Sequence, residues 1–177
     1  MSNKEALREL QTRLAERMQA AREQTRLANW LAVECAGLGL LFSLKQAAEI
    51  FALVPVKPVP YSQPWLMGVA NLRGGLVTVV DLPVFLGLRE PGAQRTDAAQ
   101  ARLVSLNADM NINCALLVDR LAGLRGDDQL ELEPVDPHEG PRPRFAGVRM
   151  RDEQGRVWQQ IDLEALARHE QFLKVVV

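Results

Sequence analysis

Two apolar arms, residues 69–73 and 76–80, meet at Gly74-Gly75, and no other feature restricts the fold of this 177-residue chain so tightly. A two-residue Gly-Gly loop between such arms predicts a β-hairpin with a primed turn, because both turn positions need positive φ. From Trp30 onward the rest of the chain follows suit, as short apolar runs cut by turn residues. Residues 30–35 and 40–44 read as strands around a turn at Gly37 to Gly39, and 102–107, 112–118, 121–125, 145–150 and 156–161 read as further strands. Residues 47–51 fit a strand or a helical turn equally well. Pro55, Pro58 and Pro60 make an extended segment, 62–65 reads as a helical turn ended by Gly68, and 89–101 and 133–144 read as a polar linker and a proline-rich loop. Strands this short and closely spaced leave no room for long crossover helices, so small barrels are favoured over a parallel sheet.

Residues 1–28 have a different character. They contain no Gly or Pro and are rich in helix formers, with Ser2 placed as N-cap and Glu5 reaching back to it. Leu7, Leu10, Leu14, Met18 and Ala21 fall on one narrow stripe, and Glu9 and Arg13 are an i,i+4 pair. Such a stripe can dock on the chain's own barrel or on a partner helix. Two more helices are expected where Asp81 and Asp162 stand as N-caps, over residues 82–86 and from 163 to about 173. Val80-Asp81-Leu82 echoes Ile161-Asp162-Leu163, and Asp119 also ends a strand, as two similar β units in tandem would have it. The organisation expected is a helical extension, 1–28, and a β domain, 29–177. Nothing in the sequence assigns a role to the apolar tail 174–177.

The chemistry-bearing residues are sparse. Lys and Arg number 21 against 22 Asp and Glu, which opposes a general nucleic-acid binder. A small nucleic-acid-binding β-barrel is the alternative reading, and it would have to use one Tyr, three Trp and five Phe. Cys35 and Cys114 lie in apolar stretches without metal spacing and read as buried hydrophobes. His138 and His169 read as solvated surface residues, outside any nucleophile or metal motif, and Asp127-Asp128 reads as a solvated loop. Gly37-Leu38-Gly39 lacks the third glycine and the lysine of a phosphate loop. Neither an enzyme nor a cofactor or metal is expected. The longest apolar runs fall short of a membrane span, so a cytoplasmic protein without membrane insertion is expected. What stands out is Asn71-Leu72-Arg73-Gly74, which places an arginine beside a tight turn. There it either points into solvent or presents its fork to a carboxylate.

The run Gly68-Val69-Ala70-Asn71-Leu72-Arg73-Gly74-Gly75-Leu76-Val77-Thr78-Val79-Val80-Asp81-Leu82 resembles the signature of the CheW coupling-protein family. Residues 60–65, Ala48-Glu49-Ile50, Leu116-Leu117-Val118-Asp119 and 157–163 resemble other elements of that family, so the resemblance runs from about Trp30 to Leu173. It implies a mainly β fold, with two SH3-like five-stranded β-barrels intertwined side by side. It implies a non-catalytic adaptor in receptor arrays beneath the inner membrane. The implied partners are the cytoplasmic tip of a methyl-accepting chemoreceptor and the regulatory domain of a CheA-type histidine kinase. It also implies that Glu49 and Arg73 interact near the groove between barrels. Glu49, Ile50, Asn71, Leu72, Arg73 and Gly74 would then form a protein-binding edge, with Leu72 and Ile50 as apolar anchors. Thr78 stands where the family usually has Pro, Pro83 where it often has Arg, and residues 1–28 lie outside the common domain. These departures resemble a specialised paralogue serving type IV pilus twitching motility.

Overall fold

The computed structural model describes residues 3–177, so the Ser2 cap lies outside the described residues. The first helix, α1 (Asn3–Leu27), leads into β1 (Ala28–Cys35) and β2 (Leu38–Ser43). Next come β3 (Ala47–Ala52), β4 (Leu66–Leu72), β5 (Gly75–Asp81), α2 (Leu82–Phe85), β6 (Arg102–Leu106) and β7 (Cys114–Val118). The remainder is β8 (Arg120–Gly126), β9 (Leu130–Leu132), β10 (Ala146–Asp152), β11 (Val157–Ile161), α3 (Leu163–Ala167) and α4 (Glu170–Leu173).

These strands form two sheets, ordered β8-β1-β2-β11-β10-β9 and β3-β6-β7-β5-β4. Each curls into a barrel. In the first, the edge strands β8 and β9 are joined by a single turn of 3₁₀ helix, Asp127–Gln129. In the second, the chain beyond β3 returns to β4, where Lys57 and Val69 exchange backbone hydrogen bonds of 2.8 and 2.9 Å. The first sheet has six strands and not five, because the three-residue β9 pairs with β10. The second barrel is inserted into the first, since the chain leaves the first sheet after β2 and re-enters it at β8. Each sheet has one parallel joint, β2 with β11 and β5 with β7.

Strand alternation explains the three apolar cores. On β7, Cys114, Leu116 and Val118 join a core shared with β1, β2 and α3, whereas Ala115 and Leu117 face a core confined to the second barrel. Burial on both faces is why this strand reads as an unbroken apolar run. On β1 and β2, Leu31, Val33, Leu40 and Phe42 enter the shared core, while Ala32 and Leu41 pack on Trp158 in the first barrel. Gly39 makes this packing possible, because a Cβ there would lie 2.6 Å from the Trp158 ring. Both cysteines are buried and free, and burial pushes the Cys114 thiol up to about 12.

Several local expectations shift. Residues 47–51 resolve as strand. The expected helical turn at 62–65 is only a turn, and Gly68 lies inside β4, where the register shifts by a residue and φ is 137°. The C-terminal helix breaks at Arg168-His169 into α3 and α4. The tail is not idle: Val175 accepts a 2.8 Å bond from the Gln63 N–H, and the Val177 N–H donates to Tyr61 at 3.1 Å. Asp81 and Asp162 do cap their helices, through bonds from Val84 and from Glu164 and Ala165. On α1, the stripe residues Leu7, Leu10, Leu14 and Met18 are 54–62% exposed and are not packed on the barrels.

Candidate protein-binding edge

The hairpin turn is displaced by one residue from the Gly-Gly pair. Leu72 pairs with Gly75, so the two turn residues are Arg73 at φ 50° and Gly74 at φ 82°. Both are positive, as a type I′ turn requires. Two forces set this register. Leu72 is 8% exposed and packs in the second barrel's core with Ala70 and Val79, so a one-residue slip would turn it outward. The Asn71 side-chain oxygen also accepts the Gly74 N–H at 2.8 Å, closing the turn from within. Arg73 therefore occupies a left-handed backbone conformation that residues other than glycine rarely adopt, at the extreme tip of the hairpin.

Its partner comes from another strand. Glu49 sits on β3, where the register with β6 shifts between Ala47 and Ile50. At this bulge the Glu49 N–H donates to the Ser105 hydroxyl at 3.1 Å, and that hydroxyl donates to the Glu49 carbonyl at 3.3 Å. The Glu49 carboxylate then meets Arg73 Nη1 at 2.7 Å. The guanidinium also lies 5.7 Å from the centre of the Phe51 ring. With side chains 74% and 45% exposed, the Arg73–Glu49 pair adds little to stability. What it does is hold a charged fork at a fixed place above β3. Ile50 and Leu76, 44% and 65% exposed, are the large apolar side chains of these strands that face solvent. Glu49, Ile50, Asn71, Arg73 and Gly74 are all exposed, whereas Leu72 is a buried support and cannot serve as an outward anchor.

A second charged cluster was not foreseen. Within the stretch 89–101, Arg89 donates to both Asp119 oxygens at 2.8 and 2.6 Å. Arg95, 10% exposed, stands 2.9 Å from Asp81 and 3.3 Å from Asp119. The Ala36 N–H, in the turn between β1 and β2, donates to Asp119 at 2.6 Å. Burial alone would raise the Asp119 carboxyl, but the bonds from Arg89 and Ala36 hold it below its ordinary value. Asp81 goes the other way, raised by burial despite Arg95. On the first barrel, Glu34 accepts from Arg120 and Arg156, and these bonds, Arg120's first, lower its carboxyl. Arg156 in turn stacks 4.4 Å above Trp158. The Asp119 cluster ties the β1–β2 turn of the first barrel to the second, whereas the Glu34 cluster stays within the first sheet.

His169 is not a solvated histidine. Its ring packs on Phe145 and Phe85, with centroids 5.0 and 6.5 Å apart, and its Nδ1 is buried without a partner. His138 is exposed, as is Asp127, which accepts from Trp30 Nε1 at 2.7 Å. Among the described residues no three His, Cys, Asp or Glu side chains are grouped to hold a metal.

Comparison with known proteins decides the family, for the CheW-like domain matches residues 29–171. The chain belongs to the CheW-like family. Its members are non-catalytic scaffolds. Protein PilI of Pseudomonas aeruginosa is 26% identical over 167 residues, covering 93% of this chain and 89% of PilI. That coverage exceeds what residues 29–177 alone can supply, so the alignment runs into α1. The crystal structure of the scaffolding protein TtCheW from Thermoanaerobacter tengcongensis superposes with a TM-score of 0.65 at 17% identity, covering 81% of this chain and 94% of that one. Two departures from the family pattern have local explanations. The Thr78 N–H and hydroxyl both donate to the Asn113 carbonyl at 3.0 Å, at the parallel joint, and proline has neither donor. Pro83 is buried in the first turn of α2, a position where its missing N–H costs nothing.

Proposed function

We propose that this chain is a cytoplasmic adaptor that couples methyl-accepting chemoreceptors to a CheA-type histidine kinase, in a chemosensory system serving type IV pilus twitching motility. The observation that carries this reading is the hairpin-tip Arg73, held by Glu49 from a separate strand, on a CheW-like chain. The exposed Ile50 and Leu76 beside it supply apolar area, and the guanidinium supplies orientation. The receptor's helical tip is assigned to this edge, and a barrel edge elsewhere is assigned to the kinase's regulatory domain. An adaptor of this kind transmits a signal by binding two receptor states unequally. The similarity to PilI, which reaches into α1, supports the pilus branch.

The alternative of a nucleic-acid-binding barrel cannot use two of the three Trp for stacking. Trp158 is buried, and Trp65 is packed between Phe85 and Phe172. The test is calorimetric titration of the full chain against a CheA-type regulatory domain and, separately, a receptor-tip fragment, with Arg73→Ala and a chain lacking residues 1–28 in parallel. Saturable binding to both partners is expected, with Arg73→Ala weakening the receptor arm alone. A well-folded chain that binds neither partner would overturn the adaptor reading.

A further inference from the structure

The helix α1 lies outside the span matched by the CheW-like domain, and Leu7, Leu10, Leu14 and Met18 of its apolar stripe are exposed. The charges around it are sorted. At ~100° per residue, Arg8 and Arg22 fall on one flank of the stripe and Arg13 and Arg17 on the other. Glu5, Glu9, Glu16 and Glu23 gather on the face opposite. Arg13 reaches back to Glu9 at 3.0 Å along its own helix, and both side chains are largely exposed. A side chain approaching the stripe from either edge therefore meets positive charge first.

Three occupants compete for such a face. A second copy of the helix would set basic flanks against basic flanks, so self-pairing is opposed by like charge. A lipid surface asks for a broad apolar face with aromatic residues, and α1 has a seam of single leucines with no Phe, Tyr or Trp. A narrow seam is the geometry that packs against another helix. We propose that α1 is a docking helix for a partner helix whose apolar seam is flanked by Asp or Glu. Leu7, Leu10, Leu14 and Met18 would fill the seam, and the arginines would pair with the acidic flanks. The proposal does not depend on what binds the Arg73 edge, because it rests on a separate face of the molecule.

The test uses the full chain and two labelled, lactam-bridged helical peptides that share a leucine seam, one flanked by Glu and one by Lys. Fluorescence anisotropy should show at least tenfold tighter binding of the Glu-flanked peptide. The preference should fall as salt rises and reverse in Arg13→Glu/Arg17→Glu. Leu10→Glu/Leu14→Glu should lose at least tenfold in affinity while circular dichroism keeps the helix content. Equal binding of both peptides, or binding of neither, overturns the proposal. So does sedimentation showing a leucine-dependent dimer, or leucine-dependent capture by phosphatidylglycerol vesicles, either of which would give the face to another occupant.

Discussion

Replacing Arg73 by glycine should separate binding from folding. Arg73 holds φ at 50°, which costs an L-residue about 1–2 kcal/mol and glycine almost nothing. Against that relief stand three losses. Glycine gives the unfolded chain extra freedom, worth about 0.4–1 kcal/mol. The solvated pair with Glu49 is worth about 0.5 kcal/mol. The guanidinium over Phe51, 5.7 Å away, is worth about 0.5 kcal/mol at an exposed site. The terms nearly cancel, so stability should move by less than about 1 kcal/mol, or roughly 2–4 °C in Tm for a chain of this size. Binding through the fork has no such compensation. Losing hydrogen bonds to a charged group costs about 1.5–3 kcal/mol, which weakens Kd roughly tenfold to 150-fold. Urea unfolding followed by tryptophan fluorescence reads the first quantity, and calorimetric titration with a receptor-tip fragment reads the second. An unchanged Kd in the folded variant would refute the binding role, and a stability loss above about 2 kcal/mol would refute the near-cancellation.

Two further outcomes follow from close approach and from charge. Gly68→Ala should be severely destabilising, by more than about 3 kcal/mol, because its Cβ would lie 2.0 Å from the Lys57 carbonyl oxygen at the seam that closes the second barrel; a wild-type urea midpoint would show that the seam is slack. Acid should weaken the fold. Glu34 and Asp119 have folded-state values below their ordinary 4.5 and 3.8, so their contribution is full above those values and is lost as pH falls through the lower, folded ones. Asp81, shifted upward, has the opposite sign and offsets part of the loss. Glu34→Gln should flatten the fall in urea midpoint below pH 4.5, and an unaltered slope would remove Glu34 from this account.

What was legible in the sequence was what local chemistry decides. The hairpin arms, the helix caps at Asp81 and Asp162 and the apolar strand at β7 all follow from neighbours within a few residues. Glycine preference alone places the turn one position too late, because it takes no account of Leu72's need to face the core. The three-residue β9 carries too little pattern to be seen. Arg89 and Arg95 looked like linker because their partners, Asp81 and Asp119, lie on other elements and no periodicity points to them. Arg73 stands out from its place beside a tight turn, but its pairing with Glu49 comes from family resemblance alone, since nothing in the 23 residues between them announces that a bulge on β3 will meet the tip of the β4–β5 hairpin. The polar sequence neighbours of His169 point to solvent, but the break between α3 and α4 turns its ring onto Phe145 and Phe85.

The insertion of one barrel into the other poses a mechanical question, because an adaptor must hold its binding faces at a fixed relation. Asp119 bears on it directly. It ends β7 in the second barrel, yet it accepts the Ala36 N–H from the β1–β2 turn of the first, and it neutralises Arg89 and part of Arg95. Asp119→Ala would leave two largely buried arginines short of a counter-charge and should cost about 3 kcal/mol. The shared core, with side chains from both sheets, should keep unfolding a single transition that only moves to lower urea. Two transitions would mean that the barrels unfold separately and that Asp119, not the shared core, couples them. A loss below about 1 kcal/mol would mean that Arg89 and Arg95 reach solvent once released, and that the clamp orders the 89–101 segment without holding the barrels together.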